Sequence, residues 1–169
     1  MMRRGGIALC IALLPLCAAA ISCSQEADSP AEDSATQSGT TQPGTTQADA
    51  AQTSAAQRAA TEATQSWLDL VDTGDYGRSW DQSAALFRGV VTRETWSQSL
   101  TAVRTPLGEQ RSRQVKSARY ATSLPGAPDG EYVVIQFNSA FAHKSAAVET
   151  VTSMRDPDGA WRVSGYFIK

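Results

Sequence analysis

Glu149, Arg104 and three tyrosines are the side chains best suited to acid–base or ligand chemistry in this sequence. Glu149 falls in a stretch that reads as a strand, on the face opposite Val148 and Thr150. A carboxyl held in an apolar pocket has a raised pKa and can act as a general base. The competing reading is a solvent-facing acid, or an ion pair with Lys144 or Arg162. Tyr76, Tyr120 and Tyr166 carry hydroxyls that an aromatic-lined cleft would present to a ligand, with Trp80 beside them. Together Tyr76, Trp80, Arg104, Tyr120, Glu149 and Tyr166 are the candidate pocket. Trp67, Trp80, Trp96 and Trp161 also fall on apolar faces, for which core packing is the default. Arg104, Arg111, Arg113, Lys116 and Arg119 form the densest basic patch, with Glu109 among them. Such a patch suits an anionic partner or is a solvated face. Arg104 has a third reading, satisfying the last carbonyls of a helix. His143 is the single histidine, and without a Ser or Cys nucleophile motif it reads as a surface residue. No catalytic constellation assembles from these residues, and they imply neither a cofactor nor a metal.

A different, covalent chemistry is suggested at Cys23. Met1-Met2-Arg3-Arg4 is a positive leader, and a nearly unbroken apolar run from Ile7 to Ile21 follows. A spanning helix needs roughly 20 apolar residues, so the run reads as the core of a signal peptide over residues 1–22. It ends in Ala20-Ile21-Ser22-Cys23, which resembles a bacterial lipoprotein cleavage box, although Ala20 stands where the pattern prefers Leu. The resemblance implies cleavage between Ser22 and Cys23, lipid on Cys23, and a membrane as partner. The alternative is a secretory signal cut after Ala20 or Ser22, leaving a free thiol. Cys10 and Cys17 lie within the leader, so Cys23 alone stays in the mature chain and no internal disulfide forms. One acyl chain anchors only marginally, and two or more hold stably. Ser24 in place of Asp resembles the outer-membrane pattern, which in a Gram-negative cell places the protein on the outer membrane facing the periplasm.

Residues 23–52 read as a tether. No aromatic and no large aliphatic side chain occurs between Cys23 and Trp67. Such a segment buries too little apolar surface to offset chain entropy. Residues 24–52 hold Glu26, Asp28, Glu32, Asp33 and Asp49 and no base, and as a coil they span about 30 Å. From residue 53 onward there are 13 basic and 12 acidic groups. That balance lacks the basic footprint of a nucleic-acid binder.

Residues 53–169 suit a single core. Ala56, Ala60, Ala63, Trp67, Leu70 and Val71 recur at helical spacing, and Gly74 ends the stripe. Asp75 is placed to cap a second helix bearing Tyr76, Trp80, Ala84 and Phe87, and Thr92 a third with Trp96, Leu100 and Val103 inward. After Gly108 the period becomes two. Ala118, Tyr120, Thr122 and Leu124 make a first strand; Val133, Ile135, Phe137 and Phe141 line a second. Val148, Thr150, Thr152 and Met154 make a third, and Trp161, Val163 and Phe167 a fourth after the Asp156-Pro157-Asp158-Gly159 turn. Gly165 suggests a bend or a close backbone approach. The expected fold is α+β, about three helices packed on a curved four-stranded antiparallel sheet.

Several of these residues form distinctive motifs: Trp67-Leu68, Asp72-x-Gly74-Asp75-Tyr76, Ser79-Trp80, Trp96, Arg104-x-Pro106-Leu107-Gly108, Arg113, Leu124-Pro125-Gly126, Asp129-Gly130-x-Tyr132, Phe141-Ala142-x-Lys144, Glu149-Thr150 and Gly159-x-Trp161-x-Val163-x-Gly165-Tyr166-Phe167. Over residues 60–168 they resemble the bacterial domain-of-unknown-function family 4019 (DUF4019). The resemblance implies a fold and an envelope location, not a chemistry. The element order is also similar to the NTF2-like superfamily, a helix-lined cone with a curved sheet. The expectation is therefore an envelope lipoprotein whose non-enzymatic domain binds a ligand or an envelope or cell-wall partner. The alternative is an NTF2-like enzyme using an acid or tyrosine in an apolar pocket.

Overall fold

A computed structural model describes residues 47–169. Ser22, Cys23 and tether residues up to 46 lie outside the described residues. Four helices come first: α1 (Gln47–Asp72), α2 (Tyr76–Asp81), α3 (Ala85–Val90) and α4 (Arg93–Arg104). A single 3-10 turn at Thr105–Leu107 leads into four strands, β1 (Gln110–Ala121), β2 (Tyr132–Phe141), β3 (Lys144–Arg155) and β4 (Trp161–Ile168). They pair antiparallel in chain order, each with the next. The α+β architecture is the expected one; β1 starts earlier than expected and ends at Ala121, leaving Thr122 and Leu124 beyond the strand, and details differ in four further places.

First, α1 begins at Gln47, so residues 47–52 are helix rather than tether. Those residues are mostly Ala and Gln, which favour helix, and Asp49 sits in the first turn, where the helix dipole welcomes an acid. Second, the expected second helix is two short ones. The break falls at Ser83–Ala84, where the Ala84 N–H leaves helical bonding and donates to Val163 O of β4 at 2.8 Å. Asp75 and Thr92 cap α2 and α4 as expected, accepting from the Arg78 and Thr95 N–H groups at 3.2 Å. Third, α4 turns Arg104 inward with Trp96 and Leu100, and Val103 is 47% exposed. α1 likewise buries Thr64 and Leu68 where Ala63 and Leu70 were expected; the Thr64 and Ser153 hydroxyls share a 2.7 Å hydrogen bond.

The fourth difference is strand phase. β3 buries Ala147, Glu149, Val151 and Ser153. Its Val148, Thr150, Thr152 and Met154 lie on the other face, the reverse of an apolar-inward reading. β2 faces inward as expected through Val133, Ile135, Phe137 and Phe141, with Ser139 among them. Opposite β3, β4 carries an irregularity at Thr152/Ser153, and Ser164 is the extra residue. The bulge shifts the alternation, so Val163 and then Tyr166 turn inward while Phe167 is 57% exposed. Two further irregularities interrupt β1, at Gln110/Ser112 and Val115/Ser117. Gly165, beside the β4 bulge, marks the bend; a Cβ there would meet Thr152 at an ordinary 3.7 Å.

The core is continuous. Ala60, Trp67, Leu68, Val71, Trp96, Leu100, Val133, Ile135, Phe137, Val151 and Val163 form it. Trp67 is its centre. Its ring meets Trp96 at 5.9 Å and Tyr166 at 5.6 Å. Its N–H donates to Ser79 O at 2.7 Å and to the Ser83 hydroxyl at 3.2 Å. Ser79 Oγ in turn accepts from Trp96 Nε1 at 2.9 Å. One indole therefore ties α1 to α2, α4 and β4. Trp67→Ala should lower unfolding free energy by about 3–5 kcal/mol, read from urea denaturation. Trp161→Ala, at a half-buried position, should cost clearly less; equal losses would contradict this packing.

Candidate functional site

Two acids and two arginines meet at one end of the helix–sheet interface. Asp72 is the last residue of α1, and Arg104 is the last of α4. Arg113 lies on β1, and Glu149 lies on β3. Glu149 has 0% of its surface exposed and Arg104 5%. Arg113 reaches across both acids. It donates from Nε to Glu149 Oε2 at 2.6 Å and from Nη2 to Oε1 at 3.1 Å. It also donates from Nη1 to Asp72 Oδ2 at 2.6 Å and from Nη2 to Oδ1 at 3.0 Å. Arg104 donates to Asp72 Oδ1 at 2.6 Å and more loosely to Glu149 Oε1 at 3.5 Å. Its guanidinium stacks 4.7 Å from the Phe141 ring centroid.

Two hydroxyls complete the cluster. Tyr166 on β4 donates to Glu149 Oε1 at 2.6 Å and accepts from Arg104 Nη1 at 3.2 Å. Ser139 on β2 donates to Glu149 Oε2. Glu149 thus accepts from four side chains, and its buried charge is matched on both oxygens. Burial pushes the Tyr166 phenol well above its ordinary value, and the adjacent Glu149 carboxylate pushes the same way. Burial works to lower the Arg113 pKa, but its bonds to Asp72 and Glu149 more than reverse this.

The candidate pocket residues divide. Arg104, Glu149 and Tyr166 come together here. Tyr120 does not: its hydroxyl donates to Glu131 at 3.1 Å, beside the β2 entrance. Tyr76 and Trp80 pack against the core, and Trp80 Nε1 donates to Val91 O at 2.7 Å. Glu149 pairs with Arg113 and Arg104, not with Lys144 or Arg162; Arg162 instead holds Asp156 and Asp158. The basic patch also splits: Arg104 and Arg113 are committed to the cluster, Arg111 pairs with Glu109, and Lys116 and Arg119 are exposed. His143 is exposed at the β2–β3 turn, with Nδ1 3.3 Å from Pro106 O. Asp72, which the sequence offers only within a family motif, and Ser139 are not among the candidate pocket residues. Asp72 carried a signal, since an acid at a helix C-terminus opposes the dipole and calls for a cation.

Chemically, the cluster is a closed set of two positive and two negative groups. Among the described residues, no group of three or more His, Cys, Asp or Glu is placed to hold a metal ion. Arg113→Met leaves a net negative charge in a dry site and should cost about 3–5 kcal/mol. Pairing it with Glu149→Met removes one charge of each sign and leaves Asp72 with Arg104. The double variant should therefore cost less than the sum of the singles by about 1–3 kcal/mol; strict additivity in urea denaturation would contradict the network. A pH dependence follows from Tyr166. The folded chain holds the phenolic proton more tightly than the unfolded chain, whose value is about 10. This contribution is complete below about pH 10 and is lost as pH rises above it. Tyr166→Phe should flatten the loss of stability above pH 10, measured by thermal melts across pH 8–11.

Neither curated proteins nor solved structures match the chain. A family model described as "Protein of unknown function (DUF4019)" matches residues 63–166. That span takes in all four charges of the cluster, both hydroxyls and the Trp67 core, and it covers more than half of the sequence. The chain belongs to the DUF4019 family.

Proposed function

We propose that this protein is an envelope lipoprotein, anchored by lipid on Cys23, whose α+β domain binds a partner without chemical turnover. The observation that carries the second half is the saturation of Glu149. A general base needs a lone pair directed at a substrate proton. Glu149 has both oxygens engaged by Arg113, Arg104, Tyr166 and Ser139 instead. Of the candidate pocket residues, Tyr120 does not join Glu149 and Arg104, because its hydroxyl is engaged with Glu131. Val133, Ile135, Phe137 and Val151 at the centre of the core are all fully buried.

The first half rests on the residues around Cys23. No helix among the described residues is long and apolar enough to cross a membrane, which is neutral toward a lipid anchor. The order of helices before a four-stranded antiparallel sheet also supports kinship with the NTF2-like cone. Intact-mass analysis of the full chain, extracted in detergent from a bacterial host, tests the anchor. The expected result is an N-terminus at Cys23 carrying two or three acyl chains. An unmodified thiol, or a mature N-terminus elsewhere, would refute it.

A further inference from the structure

The four strands contain a single carboxylate, Glu149, and it points inward. The opposite face of the sheet therefore carries no acid. It does carry or border cations: Arg119 on β1, Lys144 at the start of β3, and Lys169 beside Val148. Among the described residues none of the three is in an ion pair. The domain is near neutral as a whole, so this face is locally basic because the acids lie elsewhere.

The face is shaped as well as charged. A hollow of about 470 Å³ is lined by Ser112, Gln114, Asn138, Lys144, Ser145 and Lys169 among others. A second, of about 580 Å³, is lined in part by Ser117, Arg119 and Gln136. Strand register sets Gln114 beside Asn138 and Ser117 beside Gln136. Gln136 and Asn138 are alternate residues of β2, roughly 7 Å apart, so the hollows adjoin. Gln114, Gln136 and Asn138 spend no side-chain hydrogen bond inside the described residues. Each amide offers both donors and an acceptor.

We propose that this outer sheet face docks a linear anionic glycan, its carboxylates on the lysines and Arg119 and its hydroxyls on the amide and serine side chains. The proposal rests on reading the domain as a binding module, and names what it binds. A polyhydroxylated strand uses paired donors and acceptors; a planar lipid surface does not. Membrane docking would also need a broad apolar face, and here Phe167 is the one exposed large apolar side chain on β4. Single-stranded nucleic acid would need a row of aromatic platforms, which this face lacks.

The test uses the full chain in neutral detergent micelles, titrated calorimetrically with polygalacturonate fragments. Binding should saturate, weaken with salt, and be at least tenfold tighter than for neutral dextran. Arg119→Glu with Lys169→Glu should weaken it at least tenfold, and Gln114→Ala with Asn138→Ala several-fold. Arg78→Glu, on α2, should leave it unchanged. Circular dichroism confirms folding of each variant. Indifference to the face variants overturns the proposal. Equal affinity for polyphosphate reduces the face to a charge patch and overturns it too. Tighter binding of soluble short-chain phosphatidylglycerol at the same residues would reassign the face to lipid headgroups. Loss of glycan binding alongside an acylated Cys23 would sink the glycan and leave the lipoprotein reading standing.

Discussion

Glu149 is a carboxylate placed in the middle of a sheet face that is otherwise core. Taking such a charge out of water costs several kcal/mol unless it is paired and hydrogen-bonded. The pairing draws on almost every element: α1 through Asp72, α4 through Arg104, β1 through Arg113, β2 through Ser139 and β4 through Tyr166. Moving any one of them by a few ångströms leaves a buried charge exposed to an apolar wall. A cluster of this kind adds little net stability over an apolar replacement. What it demands is geometry: both oxygens of Glu149 have to meet partners from four different elements at once.

The tryptophan cluster around Trp67 supplies what the charges do not. It sits at the other side of Tyr166, whose ring packs on Trp67 while its hydroxyl meets Glu149. Tyr166 is thus the joint between an apolar core held by burial and a polar cluster held by geometry. The β4 bulge at Ser164 is what turns it inward. Without that extra residue the strict alternation would have buried Phe167 and sent Tyr166 to the solvent side.

Much of the architecture was legible in the sequence because its signals are local. Asp75 and Thr92 act within one turn, the Asp156–Gly159 hairpin within four residues, and β2 is apolar at Val133, Ile135, Phe137 and Phe141, an alternation broken only at Ser139. What was hidden depends on distant partners. Arg104 lies 45 residues from Glu149 and Arg113 lies 36 from it, so nothing nearby announces that either cation will be buried. The β3 phase was ambiguous for a related reason. Val148, Thr150 and Thr152 suit either face of a sheet, and Glu149 looked like the solvent-facing residue. The three bulged positions, which reset the alternation on β1 and β4, have no reliable local code. Of the six candidate pocket residues, the three that converge are those with chargeable or hydrogen-bonding tips facing inward; the others pack or bond where their own strand or helix leaves them.

Helix α1 has a mechanical consequence. Its first fully buried side chain is Ala60, so thirteen residues, or about 20 Å of helix, precede it, held on the way by Gln57 donating to Ala118 O at 2.8 Å. Its far end is clamped by Asp72 in the ion cluster. A pull at Gln47 is therefore delivered along a stiff rod to Thr64, Trp67 and Asp72 together. Those contacts are spread over the last four turns of α1, from Ala60 to Asp72, and reach α2, α4 and all four strands.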